Sequence, residues 1–452
     1  MGESELLSRA ECRRIFDIAW SAAKSAGAED VEVTFGATVS SLTRFANNEI
    51  HQNVAERRGL VSIRPVLDSR TARASTNRLD ERSIQATAAE AVAITRAQEP
   101  DPELLPVFGA AEYRDVDRFC TSTALATPED RAAVVAEAIG IAEAASQTAA
   151  GIYSTGQTVD AILNSRGAFG YYYDTNATFS MTAIGADSSG WAKLGTPDCG
   201  LLDPIGLARR ASLKATASAG PRELPPGRYT VILEPSAAQD LIGQMFFDFS
   251  ATSLHDQHSF LNGRIGTKLF GENISIMDNV YHPLQSGPPF DGEGVPQRIL
   301  TLVDRGVVRD VAYSRLAAKR AGVEPTGHGL PVPSEAGEMP DNIVIMGGDA
   351  SLEGLIASTE HGILITRLWY IREVDPYEKI MTGLTRDGTF LIEGGRIVSG
   401  LRNFRFNQSL IDMLNRVEAM TPAVRASGEE AFDMVAPAMK VREFNFTDVT
   451  KF

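Results

Sequence analysis

The sequence predicts an α+β protein of two domains, an N-terminal helix and antiparallel-sheet domain over residues 1–222 and a β-rich, barrel-like domain over residues 223–452. Three observations carry this. A chain of 452 residues exceeds what one ordinary hydrophobic core organises. Its first half alternates helical periodicity with blocks of strand pattern, whereas its second half is dominated by short strand signals separated by Gly and Asp-Gly turns. Between them, "GPRELPPGRYTVILEP" concentrates Pro and Gly near residue 223, as a domain boundary does.

Residues 8–27 predict the first helix, with Ser8 as cap, Ile15, Phe16, Ile18, Ala19 and Ala22 as an apolar stripe, and Gly27 as its end. Residues 31–77 alternate apolar and polar positions between turn residues and predict three or four antiparallel strands. "DERSIQATAAEAVAITRAQ" predicts a second helix, and "TPEDRAAVVAEAIGIAEAA" a third, with Thr127, Glu129 and Asp130 suited to its N-terminus. Residues 151–187 form a second strand block, and "DPIGLARRASLKATASA" a fourth helix. The order helix, strands, helix, occurring twice, suggests an internal duplication without a residue-level repeat. In the second half, "YTVILE", "ISIMDN", "RILTLVDRGVVRDV", "NIVIMGG", "GILITRLWYIREVD" and "TRDGTFLIEGGRIVSGLRNFRF" predict strands, with helices at 236–250, 351–359 and 408–418.

Composition excludes several classes. A net charge of −15 with scattered basic residues argues against nucleic-acid binding, which needs clustered Lys and Arg. No apolar run reaches the ~18 residues of a membrane span, so no membrane contact is expected. The first sixteen residues have no apolar stretch of a secretory leader, and Leu6 stands where myristoylation wants Ser or Thr. Cys12, Cys120 and Cys199 are odd in number and show no CxxC spacing, so neither a disulfide framework nor a cysteine zinc knot is expected. A cytoplasmic protein is the expectation. There is no Walker motif, no GxSxG elbow and no GxGxxG after a strand.

An ordered series of segments runs through most of the chain: "SLTRFANNEIHQN", "ILNSRG", "LPPGRYTVILEPSAAQDLI", "SFLNGRIG", "FDGEGVPQ", "LVDRGVV", "TGHGL", "MTGLTRDGTFLIEGGRI" and "APAMKVREFNFT". This series resembles the TldD/PmbA (TldE) family. The resemblance implies a two-domain α+β fold. It also implies two kinds of chain. TldD-type chains carry zinc through an HExxxH motif, on the helix that opens the second domain, and through a cysteine near the C-terminus. TldE/PmbA-type chains lack these ligands and pair with a TldD-type chain, and the pair cleaves short or unfolded peptides, including modified peptide natural-product precursors and antitoxins.

Laid on this sequence, the motif falls on "LIGQMFFD". Gly243 and Asp248 stand at the histidines and Gln244 at the glutamate, while Ala426 or Ser427 stands at the cysteine. Catalytic zinc needs three N, S or O ligands and an open position, and a carboxylate beside them to take the proton of the water. Glycine has no donor atom, and a neutral amide is no general base. The expectation is therefore a metal-free chain with no cofactor of its own, zinc residing in a TldD-type partner. An extended peptide is the expected substrate, and a homodimer is the alternative assembly when the partner is absent.

The rival for a metal site is "LHDQH". His255 and His258 at i and i+3 could meet one ion with Asp256, although the segment between "SATS" and "FLNG" reads as a loop, where histidines are solvated or wall a peptide groove. The helix before it is expected to open with a capping box of Ser236 and Gln239 and to bury Leu241, Ile242, Met245, Phe246 and Phe249. In "FDGEGVP", Asp291 and Glu293 could act as an acid–base pair or bond backbone N–H groups in a tight turn before Pro296. His328, in the Gly-rich "TGHGL" loop, could line a substrate path or be architecture. Arg367, alternating with Ile365, Trp369, Ile371 and Glu373 on one strand face, could hold a peptide carboxylate or a salt bridge inside the barrel. Two other classes stay open: a stand-alone homodimeric hydrolase using another site, and a non-catalytic peptide-binding or regulatory protein.

Overall fold

Ser8 starts the first helix, Arg9–Ser25, by accepting the Glu11 backbone N–H at 3.1 Å. The computed structural model describes residues 6–450. The helix buries Cys12, Ile15, Phe16, Ala19 and Ala23. Behind it lies a sheet drawn entirely from residues 30–196. Its path runs Arg70–Thr71, Glu49–Leu67, Asp30–Ala46, Thr148–Asn164, Phe169–Ile184, Ser189–Thr196, and Ala74–Thr76 pairs with Glu49–Leu67. The expected repetition is present at this level. Helices Arg9–Ser25 and Glu81–Arg96 cover one long hairpin, helices Pro128–Ala144 and Pro204–Ala217 cover the other, and the two hairpins join through the antiparallel pair Asp30–Ala46 and Thr148–Asn164. The Pro128–Ala144 helix carries the capping box of Thr127 and Asp130.

Inside this sheet Glu32 faces Arg64 across the strand pair and accepts two N–H bonds, at 3.2 and 2.8 Å, while Arg73 lies 2.5 Å from its other side. Glu32 and Arg64 are 1% and 2% exposed. Removing one member of a buried ion cluster leaves the others uncompensated, which costs about 3–5 kcal/mol. Glu32→Gln strands two arginines, and urea unfolding is expected to show a loss of that size.

The second half contains a closed barrel. His361–Asp375 pairs in parallel with Gly227–Leu233 and antiparallel with Ile380–Glu393. Gly227–Leu233 continues to Met439–Val449, then Phe404–Ser409, then Ile380–Glu393, which completes the ring. Closure removes the sheet edges. A second sheet has the order Val307–Val308, Leu300–Asp304, Ile276–Asp278, Ile343–Ile345, Met434–Ala436, Val424–Ala426. One apolar core, rich in phenylalanine (Phe246, Phe249, Phe270, Phe404, Phe406, Phe444), fills the space between the barrel, this sheet and the helix that opens the half. No helix among the described residues is long and apolar enough to cross a membrane.

The structure corrects several local expectations. The helix expected at 236–250 is three pieces: α-helix Pro235–Ile242, 3-10 turns Gly243–Asp248, and a short helix Ala251–His255 begun by Ser250, which accepts the Ser253 N–H. The Ser236–Gln239 capping box does not form. Glu234 is the N-cap and makes no side-chain cap, because Ser236 and Gln239 are taken by distant backbone. The strand around Arg367 loses its alternation at a bulge between Trp369 and Arg372, where Tyr370 adopts a φ of 57°. Helix Arg315–Ala321 and the strands Val417–Met420, Val424–Ala426, Met434–Ala436 and Met439–Val449 were not expected. The three- and four-residue strands carry too little period-two pattern to stand out, whereas Met439–Val449 is eleven residues long and is bent by a register shift between Val441 and Phe444.

Candidate functional site around residues 235–248

The Pro235–Ile242 helix follows directly from barrel strand Gly227–Leu233, and its residues Ala237 to Ile242 are all buried. Three of its polar side chains, together with Gln244 of the next turn, face one target, the segment 427–432. Ser236 Oγ donates to the Ser427 carbonyl at 3.1 Å. Gln239 Nε2 donates to the carbonyls of Ala431 and Phe432 at 2.9 and 2.8 Å. Asp240 Oδ1 accepts the N–H groups of Glu429, Glu430 and Ala431 at 3.0, 2.8 and 3.1 Å. Gln244 Nε2 donates to the Glu430 carbonyl at 2.9 Å and to the Asp240 carbonyl at 3.0 Å. Burial pushes the Asp240 carboxyl up to about 6, the three N–H bonds pulling the other way without prevailing.

Two glycines make this clamp fit. A Cβ on Gly428 would lie 2.1 Å from Asp240 Oδ1, and a Cβ on Gly243 would lie 2.4 Å from the Ala431 Cβ. The 427–432 segment thus fills the space in front of Gly243. Ala426 is buried within the Val424–Ala426 strand. Beside it Ser427 Oγ donates to Asp433 Oδ2 at 2.9 Å and accepts the Gly195 N–H at 3.2 Å. Asp248 closes the other end. It lies 2.5 Å from Lys379 Nζ and accepts the Phe260 N–H at 3.2 Å, and burial raises its carboxyl above the usual range against the pull of Lys379.

These residues do not fit a zinc ion. Gly243 and Ala426 offer no donor, Gln244 is committed to two carbonyls, and Asp248 is committed to a buried lysine. Among the described residues, no group of three or more His, Cys, Asp and Glu side chains is placed to share a metal. His255 ends the short Ala251–His255 helix, His258 lies one turn on, and both are exposed, with Gln257 between them in a left-handed conformation.

The other candidates are engaged within the fold. His328 is buried, with Nε2 3.1 Å from Asp278 Oδ1 and Nδ1 2.9 Å from Thr326 Oγ1; the charge of Asp278 raises its proton affinity although burial opposes it. Asp278 in turn accepts the backbone N–H groups of Asp341 and Asn342. His328 therefore holds loops together, and it also lines a cavity beside Asp291 and Gly329. Arg367 lies 2.6 Å from Asp387 and 5.0 Å from the centre of the Trp191 ring, the internal salt bridge that was the alternative to a carboxylate clamp. Asp291 accepts the N–H groups of Glu293, Val295 and Gly329, and Glu293 accepts that of Arg315, so this pair serves the turn. Sequence reasoning missed Asp240 and Asp433 and gave Gln239 a capping role in place of its bonds to residues 431 and 432. The adjacent polar pair 239–240 inside an otherwise apolar helix was the available signal, because such groups are buried only with partners.

Comparison with known proteins follows the same lines. Three family models match: PmbA/TldA metallopeptidase domain 1 over residues 31–95, the central domain over 124–219, and the C-terminal domain over 226–448. A metalloprotease of Methanothermobacter thermautotrophicus is 25% identical over 283 residues, 58% of this chain and 60% of that protein. A zinc metalloprotease TldD homolog of Saccharolobus solfataricus is 26% identical over 209 residues, 43% of this chain and 44% of that protein. The chain thus spans less than two thirds of the length of the curated relatives it matches. The solved structure of TldE from Thermococcus kodakarensis has the same fold, with a TM-score of 0.86 at 19% identity over 97% of this chain and 100% of that chain.

Proposed function

Because the chain belongs to the PmbA/TldD metallopeptidase family, we propose that it is the metal-free, TldE/PmbA-type subunit of a two-chain zinc metallopeptidase that acts on short or unfolded peptides. The observation that carries this reading is the packing of Gly243 against Ala431, which leaves no room for a side chain at the first motif position. The zinc, the base and the water belong to a TldD-type partner, where the metal supplies a nucleophile at neutral pH. This chain contributes a rigid wall. Its 427–432 segment is held by eight hydrogen bonds with Ser236, Gln239, Asp240 and Gln244, at the place where the partner type carries chemistry. Exposed apolar side chains gather nearby. Phe247 lies in the Gly243–Asp248 turns, and the backbone of Tyr370 is tied to Glu430 at 2.9 Å. Such side chains suit burial by a partner or by an extended peptide.

Zinc analysis of the chain purified without a metal-binding tag tests this. The expected result is far less than one zinc per chain, with peptide cleavage only after a TldD-type chain is added. Stoichiometric zinc that is lost on His255→Ala with His258→Ala would establish a site in "LHDQH" and a stand-alone hydrolase instead.

A further inference from the structure

A cavity of about 250 Å³ lies between the N-terminal sheet and the loops around residues 288–292 and 328–341 of the second half. Its sheet wall carries Asp160, a partly exposed carboxylate on strand Thr148–Asn164 that has no hydrogen bond and no ion pair. The neighbouring strands leave it bare. Gly36 stands directly opposite on one side, where a Cβ would meet no atom within 4 Å. Tyr172 stands opposite on the other, and its hydroxyl donates to Asp174 instead. Burial pushes the Asp160 carboxyl up to about 6, the charge of Asp174 adds to the rise, and no cationic side chain opposes it. Across the cavity Asp341 stands exposed, one oxygen accepting the Asn342 side-chain amide and the other without a partner.

The charges select a cation. Asp160, Asp291 and Asp341 line the cavity against one base, His328, which Asp278 already matches. The charge of His328 reaches Asp341, but that of Asp278 acts on it more strongly. Nearby arginines are spent elsewhere. Arg118 donates to the carbonyls of Val280, His282 and Gly287, and its charge acts on Asp174. Arg315, whose charge reaches Asp291, lies 3.7 Å from Glu293. Asp291 itself serves three backbone N–H groups. Asp160 and Asp341 remain as open acceptors, one on each wall. Acceptors so divided do not surround a single ion, and no three acidic, His or Cys side chains among the described residues are placed to do so. A guanidinium differs, because its five N–H donors lie on a planar fork that reaches acceptors on two sides. We propose that this cavity receives the side chain of an arginine in a peptide, its guanidinium bridging Asp160 and Asp341. The inference rests on the reading that this chain handles peptides. The volume exceeds the ~150 Å³ that holds a benzene-sized molecule, and Pro288, Pro331 and Met339 supply an apolar wall for the stem.

Calorimetric titration of the full chain with alanyl-arginyl-alanine, acetylated and amidated, and with its citrulline and lysine counterparts tests the assignment. Citrulline keeps the shape of arginine and loses its charge. The arginine peptide is expected to bind at least ten-fold more tightly than the citrulline peptide. Asp160→Asn and Asp341→Asn should each remove at least ten-fold of that affinity. Gly36→Leu, which sets bulk beside Asp160 without altering charge, should lower it as far. Glu353→Gln removes an exposed carboxylate outside the cavity and should leave it unchanged. Equal binding of the arginine and citrulline peptides by the unaltered chain, or no binding of either, overturns the inference without recourse to variants. Lysine binding as tightly as arginine marks a point charge and overturns the forked bridge. Cleavage measured with a TldD-type chain separates the two readings. No gain in activity with arginine binding retained sinks the subunit reading alone, and activity indifferent to arginine against citrulline sinks this inference alone.

Discussion

Writing the zinc motif back into the chain, as Gly243→His with Gln244→Glu and Asp248→His, is expected to unfold most of the protein and to yield no zinc site. Each change meets a specific obstacle. Any Cβ at 243 arrives 2.4 Å from the Ala431 Cβ, with backbone behind it, and overpacking of this kind costs about 1–3 kcal/mol. A carboxylate at 244 faces the Asp240 and Glu430 carbonyls that the Gln244 amide now satisfies, leaving them unpaired at about 1–3 kcal/mol. Loss of Asp248 leaves Lys379, 5% exposed, with only Glu373 at 2.5 Å, and breaking a buried pair costs about 3–5 kcal/mol. Even with incomplete additivity, the total is comparable to the roughly 5–15 kcal/mol that holds a domain folded. Urea unfolding of the three single variants resolves the contributions, with Gly243→Ala alone losing about 1–3 kcal/mol. A stable triple variant with stoichiometric zinc would show that the 427–432 segment yields freely, and the packing argument would then be wrong.

Asp240→Ala is expected to destabilise the chain by about 3 kcal/mol, because three N–H groups of residues 429–431 lose their acceptor at once. Hydrogen exchange of those amides should rise together. Asp240→Asn behaves differently. All three N–H groups bond Oδ1, and an amide oxygen can take that place. The charge also matters. The Asp240 carboxyl titrates near 6 in the folded chain against an ordinary value of 3.8, so folding favours its neutral form. Its contribution is fully present below 3.8 and is lost as pH rises through about 6. Asp240→Asn keeps a neutral group at every pH, so it should be more stable than the unaltered chain above pH ~6, by at most ~3 kcal/mol for a shift of that size, and equal to it near pH ~4. Unfolding curves at several pH values check this. A constant difference between the two proteins across that range would remove burial of the charge as the cause.

Much of the fold was legible because it is local. The helices Arg9–Ser25, Glu81–Arg96, Pro128–Ala144 and Pro204–Ala217 each carry an apolar stripe and a cap in adjacent letters. The long strands of both halves carry alternation or Gly-bounded apolar runs. The 236–250 helix was misread for the complementary reason. Its apolar residues keep helical spacing, but its geometry is set by Asp248 reaching Lys379 and by Ser236 and Gln239 reaching residues 427–432, and these partners have no neighbouring position in the sequence.

By itself, the sequence determined the α+β class, the four N-terminal helices, the β-rich character of the second half, and the absence of His, Glu or Cys at 243, 244, 248 and 426. Those follow from periodicity and from which atoms a side chain owns, and both are properties of the letters. Only the tertiary structure decided that Arg367 meets Asp387, that His328 meets Asp278, and that Asp240 meets residues 429–431. These pairs lie 20 to 191 residues apart in the chain. Their meeting depends on how the barrel closes and on how the two halves abut, and the energy of such contacts exists only once the whole chain has folded.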